Sequence, residues 1–252
     1  MKQIISTIRL LVVMVLSSSM FMACNKEEEL IKAVSIEVWG YNVGDTELEV
    51  SVDTVVYRNF RIQPNKPVSF GKVYKYPSNS LQALLKIKDI TSGKAVFQQH
   101  LSLGGEDLEL FFPLVLINQQ PLTINSPVAD PSTNKLGFYI HYPQSSDALD
   151  IYLKNESGQM VYIAKSVKPS TWTYVDYILE NGFKEAGKNY TLHFTKTGTT
   201  DSWAFQDNEW MSQVYENSLY FPKGDQKGLV RTYFVTPGSN QLEAMRLFKR
   251  PK

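Results

Sequence analysis

Residues 201–210 contain the side chains best suited to recognise a ligand. Trp203 and Trp210 offer flat apolar faces on which the C–H surface of a sugar can stack. The segment also holds planar polar groups that can pair with hydroxyls, namely Asp201, Asp207, Asn208 and Glu209. These six residues are therefore a candidate ligand-binding site, for a glycan or another surface ligand. Two alternatives stay open: the large aromatic residues anchor the loop by packing, or the carboxylates hold calcium without the spacing of an EF-hand loop.

Two pairs of carboxylates raise the question of catalysis. Asp107 with Glu109, and Glu47 with Glu49, each share one face of a predicted strand. Paired carboxylates can serve as acid and base in the hydrolysis of a glycosidic bond. Neither pair is framed by aromatic side chains that would hold a sugar, and exposed strands commonly carry such pairs. We therefore expect neither pair to be catalytic.

The remaining residue types with catalytic potential are sparse. No two of the histidines, His100, His141 and His193, have the spacing of metal ligands. His141 and His193 fall on the polar faces of predicted strands, so we expect both to be solvated. No phosphate-binding loop, dinucleotide-binding glycine motif or nucleophile elbow occurs in the sequence. These observations predict a chain that is not an enzyme and that has no cofactor and no metal.

The chain's only cysteine, Cys24, closes an N-terminal segment with the layout of an export signal. Lys2 and Arg9 give this segment a positive start, and residues 10–16 are apolar throughout. The run is too short for a membrane-spanning helix. Residues 21–24, Phe-Met-Ala-Cys, resemble the lipobox of bacterial lipoproteins, in which the cysteine is acylated and becomes the first residue. The resemblance implies a signal peptide at residues 1–23 and lipid attachment at Cys24. The alternative is an ordinary secretory signal with a free cysteine.

An acidic tether follows at residues 24–32. Lys26 precedes a run of three glutamates, Glu27, Glu28 and Glu29. This pattern resembles the export tag that sends lipoproteins of Bacteroidetes to the outer face of the outer membrane. It implies an outer-membrane protein that is lipid-anchored and surface-exposed, with the membrane as one partner. The alternative is a charged linker that carries no address.

Composition describes the body of the chain. The full chain has 252 residues, 43% of them hydrophobic, with 26 basic side chains against 25 acidic ones. Such a chain can bury a sizeable core and is neither disordered nor a large membrane protein. Because no basic excess exists to neutralise phosphates, we expect no nucleic-acid partner.

Two-residue alternation of apolar and polar side chains dominates this body and predicts half-buried strands. The apolar faces include Val34, Ile36 and Val38; Leu81, Ala83, Leu85 and Ile87; Leu108, Leu110 and Phe112; Leu136, Phe138 and Ile140; and Leu149, Ile151 and Leu153. Prolines at 121, 127 and 131 interrupt the pattern. We therefore predict an all-β protein with two antiparallel β-sandwich domains at residues 33–122 and 133–252, joined by a linker at residues 123–132.

One short helix is predicted in the second domain. Its apolar residues have helical spacing and are Tyr174, Val175, Ile178, Leu179 and Phe183. Gly187 is the predicted C-terminal stop. Tyr190 then enters an alternating strand after a turn, which resembles the tyrosine corner of immunoglobulin-like sandwiches. The resemblance implies an immunoglobulin-like fold and names no function.

Three classes of function are compatible with these features. A non-catalytic binding module on the cell surface is favoured by the predicted localisation, by the sandwich domains and by the lack of catalytic residues. Such a module would be adhesin-like or an accessory protein for glycan capture, with a glycan or a surface protein as ligand. The first alternative is a structural subunit of an outer-membrane or surface-fibre assembly. A glycosidic enzyme is the least favoured, because no convergent pair of carboxylates is evident.

Overall fold

The computed structural model describes residues 30–178, 190–223 and 226–248. Within these ranges the chain forms sixteen strands in four sheets, and its helix is limited to one turn at Glu216–Leu219. This confirms the all-β class. Within the described ranges, no helix is long and apolar enough to cross a membrane. The predicted signal peptide, Cys24 and the export tag lie outside the described residues.

The first two sheets are built from residues 31–121. Their strands are β1 (Ile31–Val43), β2 (Leu48–Val52), β3 (Val55–Ile62), β4 (Lys66–Pro77), β5 (Gln82–Asp89), β6 (Ala95–Ser102), β7 (Glu109–Ile117) and β8 (Gln120–Pro121). One sheet has the order β4-β1-β7-β8 and the other β3-β2-β5-β6. Apolar side chains from both sheets pack into one core, among them Val38, Val50 and Leu85. The alternation in the sequence thus reports which face of each strand points inward.

Residues 134–246 repeat this arrangement. Their strands are β9 (Asn134–Ile140), β10 (Leu149–Lys154), β11 (Met160–Val167), β12 (Trp172–Tyr177), β13 (Thr191–Lys196), β14 (Gln213–Tyr215), β15 (Val230–Pro237) and β16 (Leu242–Arg246). The sheet orders are β12-β9-β15-β16 and β11-β10-β13-β14. In each set the first strand pairs antiparallel with the fourth and parallel with the seventh. A second core lies between these sheets and contains Phe138, Ile151 and Phe194.

Three details of the sequence prediction are wrong. The sheets are not antiparallel throughout, because β1 pairs parallel with β7 and β9 pairs parallel with β15. Tyr174 and Val175 lie in β12, which pairs with β9, and not in a helix. Aromatic and β-branched residues favour a strand when a neighbouring strand is available to pair, and this outweighs the helical spacing. Leu179, Phe183 and Gly187 lie outside the described residues. Leu81 and Leu108 are exposed, because they precede the strands on whose inner faces they were expected.

A third cluster of apolar side chains joins the two sets of sheets. Tyr41 of β1 packs against Phe234 of β15 with ring centroids 5.5 Å apart, and Phe111 of β7 lies 6.4 Å from Phe248. The indole nitrogen of Trp39 donates a hydrogen bond of 2.8 Å to the carbonyl oxygen of Arg246. The two halves therefore share a packed, partly hydrogen-bonded contact.

The proline-bearing connection at residues 122–133 contains no strand but is held in place. The indole nitrogen of Trp172 donates to the carbonyl oxygen of Thr123 at 3.0 Å, and the Tyr174 hydroxyl donates to the carbonyl oxygen of Asn125. Trp172 and Tyr174 stack on each other, with centroids 5.9 Å apart. These contacts account for both aromatic residues as packing elements at the edge of a sheet.

Candidate ligand-binding site

All six candidate residues lie in the loop at residues 197–212, which connects β13 to β14. Phe205 anchors this loop: its ring is fully buried and packs edge-on against Tyr142, with centroids 5.0 Å apart. The Phe205 amide donates to the Ser212 hydroxyl at 3.0 Å, and Met211 is also buried. The middle of the loop is thus attached to the second core, and Phe205 packs as the first alternative expects of the large aromatic residues.

Trp203 is also a packing element. It forms a backbone bridge with Thr195 of β13, and its half-buried ring stacks on His193 with centroids 5.5 Å apart. His193 stacks in turn on Tyr152 of β10, at 5.0 Å and an interplanar angle of 7°. The three rings form a continuous stack across the outer face of the sheet. Much of Trp203 is therefore already in contact with the protein.

The expectation that His193 is solvated is wrong. This residue is only 5% exposed, although it lies on the outer face of its strand. The loop folds back over this face: the Tyr152 hydroxyl donates to the carbonyl oxygen of Thr200 at 3.0 Å, and the Thr195 hydroxyl donates to that of Thr199 at 2.9 Å. Burial, assisted by the positive charge of Lys154, lowers the pKa of His193 to about 4. The imidazole is therefore neutral at physiological pH.

His141, the other histidine expected to be solvated, is half-buried just after β9. Its ring stacks on Phe234 with centroids 6.4 Å apart. Burial lowers the pKa of His141 below its ordinary value. Both histidines are thus partly or wholly removed from water: the loop covers His193, and His141 stacks on the ring of Phe234.

Trp210 differs from Trp203, because 71% of its surface is exposed. Its backbone is nonetheless fixed, since its carbonyl oxygen accepts a hydrogen bond of 3.0 Å from the Leu242 amide at the start of β16. A large aromatic face is thus presented to solvent from a backbone that is held by a sheet. Such an arrangement leaves the face open for a ligand to cover.

The four planar polar side chains of the loop differ in the contacts that they make. Asp207 forms an ion pair with Lys196 of β13. Asn208 accepts a hydrogen bond of 3.3 Å from the Met211 amide, which closes a turn within the loop. Asp201 and Glu209 are exposed. The structure therefore assigns local structural contacts to Asp207 and Asn208 and leaves Asp201 and Glu209 at the surface.

A cleft of about 180 Å³ borders the loop. Its polar lining consists of Tyr142, Ser145, Asp147, Lys196, Gln206 and Asp207. Carboxylate, ammonium, amide and hydroxyl groups thus converge on a volume suited to part of a polar ligand. Tyr142, Asp147 and Lys196 could not be predicted from the sequence, because they lie outside the loop and no local pattern marks them. Gln206 lay within the predicted segment but was not singled out.

The carboxylates of the two pairs have structural contacts or are exposed. Glu49 forms salt bridges with Arg61 at 2.5 Å and Lys88 at 3.0 Å, and its hydrogen bonds to these side chains lower the pKa of its carboxyl. Asp107 and Glu109 are exposed. Among the described residues, no group of three or more His, Cys, Asp or Glu side chains is placed to hold a metal ion.

No protein-family model matches the chain, and no curated protein matches it. Among solved structures, it is similar to a candidate cell adhesion protein from Bacteroides uniformis ATCC 8492, with 10% identity, coverage of 87% of this chain and 97% of that chain, and a TM-score of 0.31. It is also similar to a structure of family 41 carbohydrate-binding modules from streptococcal virulence factors, described for alpha-glucan recognition. That match has 11% identity, covers 83% of this chain and 96% of that chain, and has a TM-score of 0.26.

A candidate adhesin from Bacteroides ovatus is similar at 11% identity, with coverage of 87% of this chain and 94% of that chain and a TM-score of 0.25. These likenesses assign neither a family nor a ligand to this chain.

Proposed function

We propose that this chain is a non-catalytic binding protein that captures a glycan through the loop at residues 197–212. The observation that carries the proposal is the exposure of Trp210 on a backbone anchored by Phe205 and by the hydrogen bond to Leu242. Exposed indole surface is unfavourable in water at roughly 25 cal/mol per Å². A sugar that stacks on the indole recovers that free energy without any rearrangement of the loop.

Polar side chains on the same loop as Trp210 support a hydroxylated ligand. Asp201 and Glu209 are exposed on the same loop, and Asp207 and Gln206 line the adjoining cleft. Carboxylates accept hydrogen bonds from hydroxyls, while the amide of Gln206 both donates and accepts them. Trp203 supports the site indirectly, because its stack on His193 holds the start of the loop against the sheet.

The setting of the site is part of the same proposal. We propose two immunoglobulin-like β-sandwich domains, at residues 33–122 and 133–252, connected by residues 123–132. The four sheets and the two separate cores support this division. We further propose that Cys24 carries a lipid anchor in the outer membrane and that the protein faces the exterior.

The lipid anchor and the surface exposure are tested in cells. Labelled palmitate should be incorporated into the wild type and not into the Cys24→Ala variant. Protease added to intact cells should digest the wild type. Labelling of the Cys24→Ala variant would contradict the anchor, and protection from the protease would indicate a periplasmic location. Replacement of residues 26–29 by alanine should change exposure without changing acylation.

The binding site is tested by two tryptophan variants on a glycan array, with thermal melts beside it. Trp210→Ala should weaken glycan binding by about 1–3 kcal/mol, by analogy with base–aromatic stacking, and should leave Tm unchanged. Trp203→Ala should lower Tm, because it removes the half-buried ring that covers His193. Tyr215→Ala is the matched control, since it removes an exposed aromatic side chain just after the loop. A large fall in Tm for Trp210→Ala, or unchanged glycan binding by that variant, would overturn the assignment.

A further inference from the structure

A second cleft, of about 230 Å³, lies at the junction of the two halves of the chain. From the first half it is lined by Trp39, Tyr41 and Pro67, and from the second by Tyr220, Glu243 and Arg246. This volume is below the roughly 300–1,000 Å³ of pockets that take drug-sized ligands. The cleft therefore has room for one ring-sized group, and both halves of the chain are needed to form it.

Tyr220 gives the cleft an aromatic face. Its side chain is 61% exposed, and its backbone φ of 53° lies in the left-handed region, which bulky residues rarely adopt. The guanidinium of Arg246 lies 4.7 Å from the centre of the Tyr220 ring. This cation–π contact orients the phenol and places a group with several N–H donors beside it.

The charges in the cleft select for a neutral ligand. Arg246 supplies hydrogen-bond donors and Glu243 supplies a carboxylate that accepts hydrogen bonds. Because one cation and one anion line the same small volume, neither a phosphate nor an ammonium group gains a net attraction. Hydroxyl groups, which both donate and accept, complement this pair.

The cleft and the loop that holds Trp210 are connected through β16. The Leu242 amide at the start of this strand donates a hydrogen bond to the carbonyl oxygen of Trp210. Glu243 and Arg246 follow on the same strand. At about 3.3 Å per residue, Leu242 and Arg246 are separated by roughly 13 Å. A chain of several sugar rings is long enough to span this separation.

We infer that the cleft of Trp39, Tyr220, Glu243 and Arg246 binds one neutral sugar ring of an oligosaccharide, as a second subsite beside the Trp210 loop. This inference rests on the proposed function, and it adds to it a class of ligand: neutral oligosaccharides, in preference to sulfated or otherwise acidic glycans. It also makes the first half of the chain part of the binding surface.

The test uses the purified protein on an array of neutral glucans, mannans and galactans together with heparin and hyaluronan. The wild type should bind neutral glycans in preference to the acidic ones. Tyr220→Ala and Glu243→Gln should each weaken that binding at least fivefold, while Tyr220→Phe, which keeps the aromatic face, should stay within twofold of the wild type. Tyr215→Ala, which removes an exposed ring outside the cleft, is the matched control and should bind as the wild type does. Thermal melts show whether each variant is folded.

The outcomes separate the two proposals. If the wild type binds no glycan, the proposed function fails and this inference fails with it. If Trp210→Ala weakens binding but folded Tyr220→Ala and Glu243→Gln do not, the proposed function stands and the second subsite is refuted. Preference for heparin or hyaluronan over neutral glycans would also refute it.

Discussion

Acidification should destabilise this fold through His193. The imidazole lies between Tyr152 and Trp203 under the loop, and burial holds its pKa at about 4, compared with 6.5 for an unperturbed histidine. As pH falls through 6.5, the unfolded chain takes up a proton at this site while the folded chain does not. The free energy of unfolding therefore falls with pH and levels off below about 4. At about 1.4 kcal/mol per pKa unit, the loss attributable to His193 is about 3 kcal/mol.

The measurement is urea unfolding of the wild type and His193→Phe at several pH values between 7.5 and 4. Phenylalanine keeps a flat ring between Tyr152 and Trp203 but cannot be protonated, so the variant should lose less free energy of unfolding across this range. His141→Phe is the companion variant, because burial also lowers the pKa of His141. Equal losses in the wild type and His193→Phe would refute the reasoning. So would an NMR titration that finds a pKa near 6.5 for His193 in the folded protein.

Three further substitutions test the packing that positions the site. Gly40→Ala should lower the free energy of unfolding by roughly 1–3 kcal/mol in denaturant titration, because a Cβ there would lie 1.6 Å from the carbonyl oxygen of Leu114. Gly71→Ala, whose Cβ would have its nearest neighbour at 3.9 Å, is the control and should change little. Phe205→Ala should cost about 3–5 kcal/mol by the same assay, and a cost below about 1 kcal/mol would contradict its role as the loop anchor. Asp150→Asn should cost about 1–3 kcal/mol, because the buried carboxylate accepts hydrogen bonds from two backbone amides and an amide side chain can accept with one oxygen only. An unchanged melting temperature for Asp150→Asn would argue against that network.

Much of the fold could be predicted from alternation alone. Leu136, Phe138 and Ile140 occupy one face of β9 and are fully buried, as their spacing indicates. Burial of one face of a strand is a local property, so a period of two residues records it directly. The prediction was wrong at Tyr174 and Val175, because a short apolar pattern does not show whether a neighbouring strand is available to pair with it.

The site could be predicted only in part. The loop that combines aromatic and planar polar side chains could be recognised from the sequence, because these residues lie within ten positions of one another. The tertiary structure decided that Trp203 packs while Trp210 is exposed, since that depends on how the loop folds back over His193. It also decided that Trp39 and Arg246 meet in one cleft, although they are far apart in the chain. Contacts of this kind arise from the docking of whole sheets and loops, which no local pattern of side chains encodes.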